Sequence, residues 1–352
     1  MPTLIPKISQ LSTHVDPNEQ IELRAKAARE RRATALAHPN IAFIKYWGNT
    51  NHHQRLPANP SLSMNLADLY TVTTVAFATE LTGDVLFING TQVTGPGLTR
   101  VTASLDLIRA EAGLNLAARI ESESNFPVGS GIASSAAAFA ALSVAGAAAA
   151  GLTLTEAALS RLARRGSGSA CRSVPAGYCQ WLTGDDQTSV ATSLAGPDHW
   201  DLRDLVVIVS QAHKPVGSTG GHQIADTSSL QPARVAGAES RLAACRQALL
   251  ARDLAAMGPV IEEDTVIMHA VMMSGHPPLY YWHPATMALI QATQQWRQAG
   301  LPVYFTIDAG PNVHLICEAA HAPAVEAAAR RITGVQNVLA SRAGGPARLI
   351  EF

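Results

Sequence analysis

The stretch PVGSGIASSA, residues 127–136, is a loop of glycines and serines that runs into a helix of small residues. Gly129 and Gly131 let the backbone approach a ligand closely, and the serines offer hydroxyl groups. The helix that starts here points its free N–H groups and the positive end of its dipole at the loop. We therefore predict an anion-binding site, with an ordinary helix N-cap as the alternative. The sequence contains neither a Walker A motif nor a GxGxxG motif.

Composition excludes several other classes of binding protein. The 352-residue sequence has a formal net charge of -1 at pH 7, so it lacks the basic surface that nucleic acids require. An anionic ligand must instead meet a local cluster of cations. The four cysteines form no CxxC pair, which argues against a zinc site, and no metal-ligating residues are predicted. We expect reduced thiols in a cytoplasmic protein.

No segment is predicted to enter a membrane. The first residues lack the basic start and the apolar core of a signal peptide. The alanine-rich run 136–150 is too short and too weakly apolar to span a bilayer, so we predict a buried helix there. Residues 16–32 are dense in charge and in helix-forming residues, which indicates a solvated helix or an arm.

Strands and helices are mixed along the rest of the chain. TVTTVAFA, from Thr71, alternates and predicts a strand, and residues 84–93 predict a hairpin that turns at Asn89 and Gly90. The mixed order with hairpins favours an α+β fold over a doubly wound parallel sheet. Further helices are predicted over 101–112, 154–164, 233–251, 284–299 and 322–331. Further strands are predicted over 115–121, 205–210, 303–307, 313–317 and 348–352.

Five motifs together resemble one enzyme family. The loop at 127–136 matches the PxxxGLxSSA signature of the GHMP kinase superfamily, with Ile132 in the leucine position. Four other stretches resemble segments of the diphosphomevalonate decarboxylases, in the same order and at similar spacing. They are NIAFIKYWG (40–48), NPSLS (59–63), RRGSGSACRS (164–173) and FTIDAGPN (305–312).

This resemblance implies a fold and a domain division. It implies the GHMP kinase fold, with two lobes and a ligand cleft between them. Residues 1–32 would be an N-terminal extension, 33–200 the nucleotide-binding lobe and 201–352 the C-terminal lobe. Members of the family commonly form dimers, so a homodimer is expected.

The resemblance also implies a reaction. ATP, with Mg²⁺, phosphorylates the tertiary 3-hydroxyl of a 5-phosphorylated mevalonate. The new phosphate then leaves as the C1 carboxylate is lost as CO2, which gives an isopentenyl product. The residues that would contact the nucleotide are Pro127, Gly129, Ser130, Gly131, Ser134 and Ser135.

Four residues are predicted to carry the chemistry. Asp308 follows an apolar strand, and its carboxylate would accept the hydroxyl proton or hold that hydroxyl in line with the γ-phosphate. Without the resemblance, a carboxylate in this turn would be interpreted as a turn cap. Arg172 would bind the substrate carboxylate with its planar fork. Lys45 would neutralise charge near Asp308, and Ser218 would orient the transferred phosphate, although Gly217 and His222 depart from the family pattern there.

The substrate end of the site departs from the family at one position. Tyr46, Ser167 and Ser169 would contact the 5-phosphate of the substrate. Arg172 would contact its carboxylate. The family motif KYWGK is KYWGN here, so Asn49 stands where a lysine contacts the diphosphate in the relatives. A site with one positive charge fewer favours a substrate with one phosphate fewer. This indicates mevalonate 5-phosphate as the substrate and isopentenyl phosphate as the product. The cations that would otherwise substitute for the lysine are His52, His53 and Arg55.

Several alternatives stay open from the sequence. The substrate is mevalonate 5-diphosphate if a neighbouring cation replaces the lysine. A kinase that stops at the 3-phosphate is disfavoured because both Asp308 and Arg172 are present. A binding protein that keeps the fold without the chemistry is disfavoured because the whole set of motifs is intact.

Overall fold

The structure is a computed structural model that describes residues 15–127, 134–212 and 216–351. The helices of the described residues are α1 (Pro17–Glu30), α2 (Pro96–Ala112), α3 (Ser134–Ala149), α4 (Glu156–Gly166), α5 (Ser218–Ala225), α6 (Gln231–Ala236), α7 (Ala238–Ala251), α8 (Leu254–Met273), α9 (Pro284–Gln298) and α10 (Ala322–Ala329). Short 3₁₀ segments lie at Gly168–Ser173, Pro197–His199 and Ala319–His321.

The strands of the described residues are β1 (Arg32–Ala37), β2 (Asn40–Ile44), β3 (Asn49–Asn51), β4 (Leu56–Pro57), β5 (Ser61–Asn65), β6 (Thr71–Ala78), β7 (Val85–Ile88), β8 (Thr91–Val93), β9 (Ala117–Ser124), β10 (Tyr178–Trp181), β11 (Ala191–Ala195), β12 (Leu202–Ile208), β13 (Tyr304–Thr306), β14 (Val313–Glu318), β15 (Asn337–Arg342) and β16 (Arg348–Leu349). Together with the helices they form an α+β fold, which confirms the predicted fold class.

The first sheet has the strand order β16-β1-β6-β9-β7-β8. All its pairs are antiparallel except β7 with β9. The predicted hairpin is confirmed, because Asn89 and Gly90 both have positive φ, at 47° and 76°, as a two-residue turn between twisted strands requires. Strand β16 joins the first sheet beside β1, where Ala35 pairs with Leu349.

Helix α3 is the centre of the first core. It packs on β1 and β6, and nearly all of its side chains are buried, which confirms the predicted buried helix. The small side chains of α3 let these strands and the neighbouring α4 come close to it. Because α3 is fixed on both sides, its N-terminus at Ser134 has a defined place next to the functional cavity.

Two other sheets form the second half of the core. Their orders are β11-β10-β5-β2 and β13-β14-β12-β15. Helices α7 and α8 share one buried apolar cluster with both sheets, in which Phe43, Leu242, Ile261 and Ile316 take part. The hydroxyl of Thr306, at the end of β13, donates to the carbonyl of Ala42 in β2 at 3.2 Å. The loop after β2 and the turn after β13 are therefore held side by side.

Helix α1 covers the edge of the first sheet. The Gln20 side chain exchanges two hydrogen bonds with the backbone of Leu349, both 3.0 Å long. The sequence predicted a helix or an arm in this region, and the structure shows a helix that is docked on β1 and β16. The domain boundaries at 32 and 200 stay predictions.

Two helical expectations need correction. The single helix expected over 233–251 is two helices, α6 and α7, which meet at Gly237. A Cβ atom at Gly237 would lie 2.6 Å from the Arg241 guanidinium, so a side chain there would displace a buried cation. The sequence analysis also missed α8, a 20-residue helix with Pro259 inside it.

Two expectations about composition can be compared with the fold. All four cysteines are buried and carry no disulfide in the structure. Across the described ranges, no helix combines the length and the apolar character needed to cross a membrane.

Candidate active site

One cavity of about 630 Å³ collects most of the predicted site. It lies where the loop after β2, the start of α3, the 3₁₀ segment after α4, the start of α5 and the turn after β13 meet. The predicted residues that line it are Lys45, Tyr46, Asn49, Ser134, Ser135, Ser167, Ser169, Arg172, Ser218 and Asp308. Gly129, Ser130 and Gly131 lie outside the described residues, and Pro127 does not line this cavity.

An ion pair between Lys45 and Asp308 lies at the base of the cavity. The Lys45 Nζ atom is 2.6 Å from Asp308 Oδ1, and the two side chains are 2% and 24% exposed. Burial alone would raise the pKa of Asp308, but the positive charges of Lys45 and its neighbours outweigh it and hold that pKa below its usual value. Burial lowers the pKa of Lys45. The carboxylate of Asp308 is thus kept ionised and is open on one side to the cavity.

The backbone around Lys45 is held by a buried network that the sequence analysis missed. The Lys45 N–H donates to Asp264 Oδ2 at 2.6 Å, and Asp264 is paired with Arg241 at 2.8 Å. The Lys45 carbonyl accepts from Arg234 at 2.7 Å and from Asn59 at 2.9 Å. Because Arg234 and Asp264 lie on helices far along the chain, no local motif links them to the lysine.

Arg234 donates three hydrogen bonds in this network. Its guanidinium also donates to the Trp47 carbonyl at 3.0 Å and to Asn59 Oδ1 at 2.8 Å, and the side chain is 1% exposed. We expect Arg234→Met to lower the free energy of unfolding by about 2–4 kcal/mol, since it removes several buried charge-assisted hydrogen bonds. Thermal and denaturant unfolding measure the change. Arg246→Met, at an exposed site on α7, is the matched control, and equal stability of the two variants would contradict this role.

Arg172 is prepared to bind an anion. Its Nε donates to Ser63 Oγ at 3.0 Å, and its two terminal nitrogens donate to Ser61 Oγ at 2.6 Å and to Asn40 Oδ1 at 3.2 Å. The side chain is 2% exposed, and it makes no ion pair with a carboxylate within the described ranges. Three neutral acceptors therefore fix the plane of the guanidinium, while its charge stays available to a ligand in the cavity.

Close packing joins the serines to Tyr46. A Cβ atom at Gly168 would lie 2.5 Å from the Tyr46 hydroxyl and ring, so glycine is required where the tyrosine crosses the 3₁₀ segment. On the other side of that glycine, the hydroxyls of Ser167 and Ser135 are 3.1 Å apart. The start of α3 and the end of α4 thus present their hydroxyl groups to one corner of the cavity.

Asn49 belongs to a chain of polar contacts at the cavity wall. The Tyr46 hydroxyl donates to Asn49 Oδ1 at 2.5 Å, and Asn49 Nδ2 is 3.2 Å from His52 Nδ1. The other ring nitrogen of His52 is 2.8 Å from Asp226 Oδ2. The series of contacts therefore begins at Asn49, the position where the family pattern has a lysine, and ends on the carboxylate of Asp226.

His222 ties α5 to the loop after β2. Its Nδ1 accepts a hydrogen bond from the Gly48 N–H at 3.0 Å, and its ring centroid is 4.2 Å from that of Tyr46 and 4.6 Å from that of Trp47. This residue departs from the family motif in the sequence. The structure shows that it packs directly behind the predicted substrate-binding tyrosine.

Two more arginines line the cavity. One is Arg55, which the sequence analysis named as a substitute cation, and the other is Arg100 of α2, which it missed. His53, also named then, is exposed and does not line the cavity. Arg100 carries no local motif that marks it, because it lies in an ordinary helical pattern.

A second cavity, about 200 Å³ in volume, adjoins the first. It shares four lining residues with the first cavity, Gly97, Arg100, Ser134 and Ser135. Its remaining wall is largely apolar and includes Leu86, Ile88, Ile120 and Phe139. The start of α3 therefore separates a polar, cationic cavity from an apolar one.

A buried histidine lies near the Lys45–Asp308 pair. His269 of α8 is 1% exposed, and its ring centroid is 4.8 Å from that of Trp282. Burial and the nearby Lys45 charge lower the pKa of His269 to about 3, so the ring is neutral. The histidine therefore adds no charge beside this ion pair.

Comparison with known proteins gives the family. Residues 37–193 match the diphosphomevalonate decarboxylase-like N-terminal domain, and residues 204–346 match the mevalonate 5-diphosphate decarboxylase C-terminal domain. The chain belongs to the diphosphomevalonate decarboxylase family. The resemblance stated from the sequence motifs is thereby confirmed.

Relatives of this decarboxylase carry two different names, phosphomevalonate decarboxylase and diphosphomevalonate decarboxylase. The phosphomevalonate decarboxylase of Haloferax volcanii is 34% identical over 323 residues, which cover 91% of this chain and 98% of the relative. The diphosphomevalonate decarboxylase of Candida albicans is 35% identical over 298 residues, covering 80% and 82%. The relatives therefore include proteins named for the monophosphate and proteins named for the diphosphate.

A solved structure of MDDEF in complex with MVAPP, AMPPCP and magnesium is similar to this family member throughout. Its TM-score is 0.86 at 36% identity, and the match covers 91% of this chain and 99% of that chain. The family thus includes a protein that holds an ATP analogue and magnesium. Within the described part of the present chain, no cluster of three or more histidine, cysteine, aspartate or glutamate residues is arranged to hold a metal ion.

Proposed function

We propose that this protein uses ATP to decarboxylate a 5-phosphorylated mevalonate, and that mevalonate 5-phosphate is its favoured substrate. The observation that carries the proposal is the ion pair of Lys45 and Asp308 in one cavity with Arg172. A charged acceptor, a fixed cation and an anion-binding guanidinium are the three groups that the reaction needs. The family membership and the names of the relatives support the same reaction class.

The first step is phosphoryl transfer. The 3-hydroxyl oxygen of the substrate attacks the γ-phosphorus of ATP, the bond to the bridging oxygen breaks, and ADP leaves. Asp308 orients this hydroxyl and takes its proton as the new bond forms. The positive charge of Lys45, whose Nζ is 2.6 Å from Asp308 Oδ1, helps to hold the pKa of the Asp308 carboxyl below its usual value, so the carboxylate is ready before the substrate binds.

The second step breaks two σ bonds and forms two π bonds, one between C2 and C3 and one in the released CO2. The C3–O bond to the new phosphate breaks, and phosphate leaves with the bonding electrons. The electrons of the C1–C2 bond form the C2=C3 double bond, and C1 is released as CO2. Arg172 binds the C1 carboxylate in a fixed plane, which aligns the C1–C2 bond with the departing phosphate.

The start of α3 is the proposed nucleotide site. Ser134 and Ser135 border both cavities, so the phosphates of ATP would lie in the polar cavity and the base in the apolar one. The hydroxyls of Ser134, Ser135 and Ser218 are the nearby oxygen donors that would hold a magnesium ion bound to those phosphates. The ion would neutralise phosphate charge during the transfer.

The preference for one phosphate rests on the wall around Asn49. The amide of Asn49 is neutral, and both its polar groups are engaged, by Tyr46 and by His52. Behind them lies the carboxylate of Asp226. A second phosphate would therefore meet a neutral amide, backed by a carboxylate, where the family pattern has a lysine.

Product analysis tests the reaction. Purified protein is incubated with ATP and Mg²⁺ and with mevalonate, its 5-phosphate or its 5-diphosphate in turn, and the ADP, phosphate, CO2 and isopentenyl products are measured. We expect stoichiometric ADP, phosphate and CO2 with mevalonate 5-phosphate. Accumulation of a 3-phosphate without CO2 would indicate a kinase. The absence of any substrate-dependent ATP turnover would indicate a binding protein.

Asn49→Lys is expected to shift the substrate preference. It restores a cation to the wall, so kcat/KM for the 5-diphosphate should rise relative to that for the 5-phosphate by up to ~10- to 100-fold. Solvent screening makes this an upper range. Steady-state kinetics with both substrates measure the shift. A wild-type enzyme that strongly prefers the 5-diphosphate would already contradict the monophosphate preference.

Two further expectations go with this function. The cytoplasmic location and the homodimeric state stay predictions from the sequence. Sedimentation analysis of the purified protein tests the second of them.

A further inference from the structure

Arg55 has an unusual backbone for a residue in the cavity wall. Its φ is 50°, in the left-handed region that non-glycine residues rarely adopt. One terminal nitrogen donates to the carbonyl of Arg165, and burial lowers the pKa of the guanidinium. A conformation of this kind persists where the surrounding structure fixes it, and such positions are frequent at ligand sites. Here it accompanies a cationic side chain that lines the cavity beside Tyr46.

Arg100 lines the same cavity. Its Nε donates to the Gly166 carbonyl at 3.0 Å, and its guanidinium lies 4.5 Å from the centre of the Phe139 ring. Burial, with the positive charge of Arg55 nearby, lowers the pKa of Arg100 to about 10. The guanidinium groups of Arg55 and Arg100 therefore border one cavity, and both are partly desolvated by the surrounding protein.

The two arginines differ from their neighbours in charge pairing. Within the described ranges, neither Arg55 nor Arg100 makes an ion pair with a carboxylate. In contrast, three arginines of the adjacent α4 share the carboxylate of Asp186, and these are Arg161, Arg164 and Arg165. Two like charges kept together without a counterion are unfavourable unless an anion joins them. The anion that the cavity would hold is therefore the missing partner.

We infer that Arg55 is a specificity-determining residue that binds the 5-phosphate of the substrate, in place of the cation absent at Asn49. This inference rests on the proposed function. A phosphate monoester carries close to two negative charges near pH 7. Arg55 and Arg100 bring two positive charges, so they neutralise one phosphate. A diphosphate would bring additional negative charge that these two arginines do not neutralise.

A structural role for Arg55 is the competing explanation. Its bond to the Arg165 carbonyl helps to close the end of α4, so its loss could disturb the fold as well as the ligand. The two roles differ in one measurable respect. A phosphate ligand matters for phosphorylated substrates alone, whereas a structural residue matters for every ligand of the cavity.

The test uses three variants of the full-length protein. These are Arg55→Ala, Arg55→Lys and, as the matched control, His53→Ala, which changes an exposed neighbour outside the cavity lining. KM and kcat are measured with mevalonate 5-phosphate and with mevalonate 5-diphosphate. Direct binding is measured for unphosphorylated mevalonate, and inorganic phosphate is used as an inhibitor competing with the mevalonate substrate. Melting temperatures monitor the fold.

We expect Arg55→Ala to raise KM for mevalonate 5-phosphate by ~10- to 100-fold, with kcat within a few-fold of the wild type. Arg55→Lys should recover part of the loss, because it restores the charge without the fork. Binding of unphosphorylated mevalonate should be unchanged. Inhibition by inorganic phosphate should weaken in Arg55→Ala and stay unchanged in His53→Ala.

The opposing results are distinct. An unchanged KM in Arg55→Ala overturns the inference, and so does an equal loss of affinity for mevalonate and its 5-phosphate, which would show a structural role. A loss confined to the 5-diphosphate would assign Arg55 to the second phosphate and overturn the charge matching. If wild type prefers the 5-diphosphate while Arg55→Ala weakens both phosphorylated substrates, the substrate preference fails and the phosphate contact of Arg55 stands.

Discussion

Replacing Asp308 by asparagine is expected to lower kcat by ~10²–10⁴-fold, the usual scale for a positioned acid–base group. The amide keeps the shape of the side chain but cannot take the hydroxyl proton. It also leaves the ammonium group of Lys45, which is 2% exposed, without an anionic partner. Single-turnover measurements of ADP formation and of CO2 release report the loss at each step.

Three observations make the Asp308→Asn experiment specific. ATP affinity should be close to wild type, because the proposed nucleotide site lies at the start of α3. Asp198→Asn, at an exposed position, controls for the change from acid to amide. The melting temperature shows how far the unpaired Lys45 destabilises the fold. Turnover near the wild-type rate would remove Asp308 from the mechanism.

Replacing Arg172 by lysine is expected to lower kcat/KM by about 10²–10³-fold, comparable to the loss of one preorganised donor in other active sites. Lysine keeps the charge but has no planar fork. It cannot donate to Ser61, Ser63 and Asn40 and still bind a carboxylate in two places. The substrate would therefore be held less precisely when the C1–C2 bond must align with the departing phosphate.

A change in the substrate isolates the contact made by Arg172. An analogue with an amide in place of the C1 carboxylate binds without the charge that Arg172 recognises. The affinity difference between wild type and Arg172→Lys should therefore shrink for this analogue. A variant that turns over the normal substrate at the wild-type rate would show that the carboxylate contact is assigned wrongly.

Much of the cavity could be predicted because its residues lie in short motifs. Lys45, Tyr46 and Asn49 are neighbours in the chain, and Ser167, Ser169 and Arg172 form another compact group. These motifs resemble those of the family, and that resemblance gave the roles of their residues. The hairpin at residues 84–93 was predictable for a local reason, since its two turn residues determine its form.

The residues behind the site could not be predicted in this way. Arg234 and Asp264 form hydrogen bonds to the backbone of Lys45, and they lie on helices about two hundred residues after it in the chain. A single charged residue on a helix indicates a solvated face more readily than a buried clamp. His52 and Asp226 meet in the same manner, from distant parts of the sequence. Contacts of this kind depend on the packing of the whole fold.

Helix α8 was missed because its sequence combines two helix-disfavouring residues. Gly258 and Pro259 stand in its first half. The structure supplies a reason for the glycine, since a Cβ atom there would lie 2.2 Å from the ring of Tyr304. Tertiary packing therefore outweighs local propensity at this point, and the helix continues to Met273.

The place of β16 affects how the protein acquires its fold during synthesis. Strand β1 lies between β6, which follows it closely in the chain, and β16, which the ribosome makes after β15. Until then, the backbone groups of Ala35 and Leu36 that pair with β16 have no strand to bond to. An incomplete edge of this kind is open to pairing with other nascent chains. The first sheet is therefore begun early in translation and finished late, when β16 has been made.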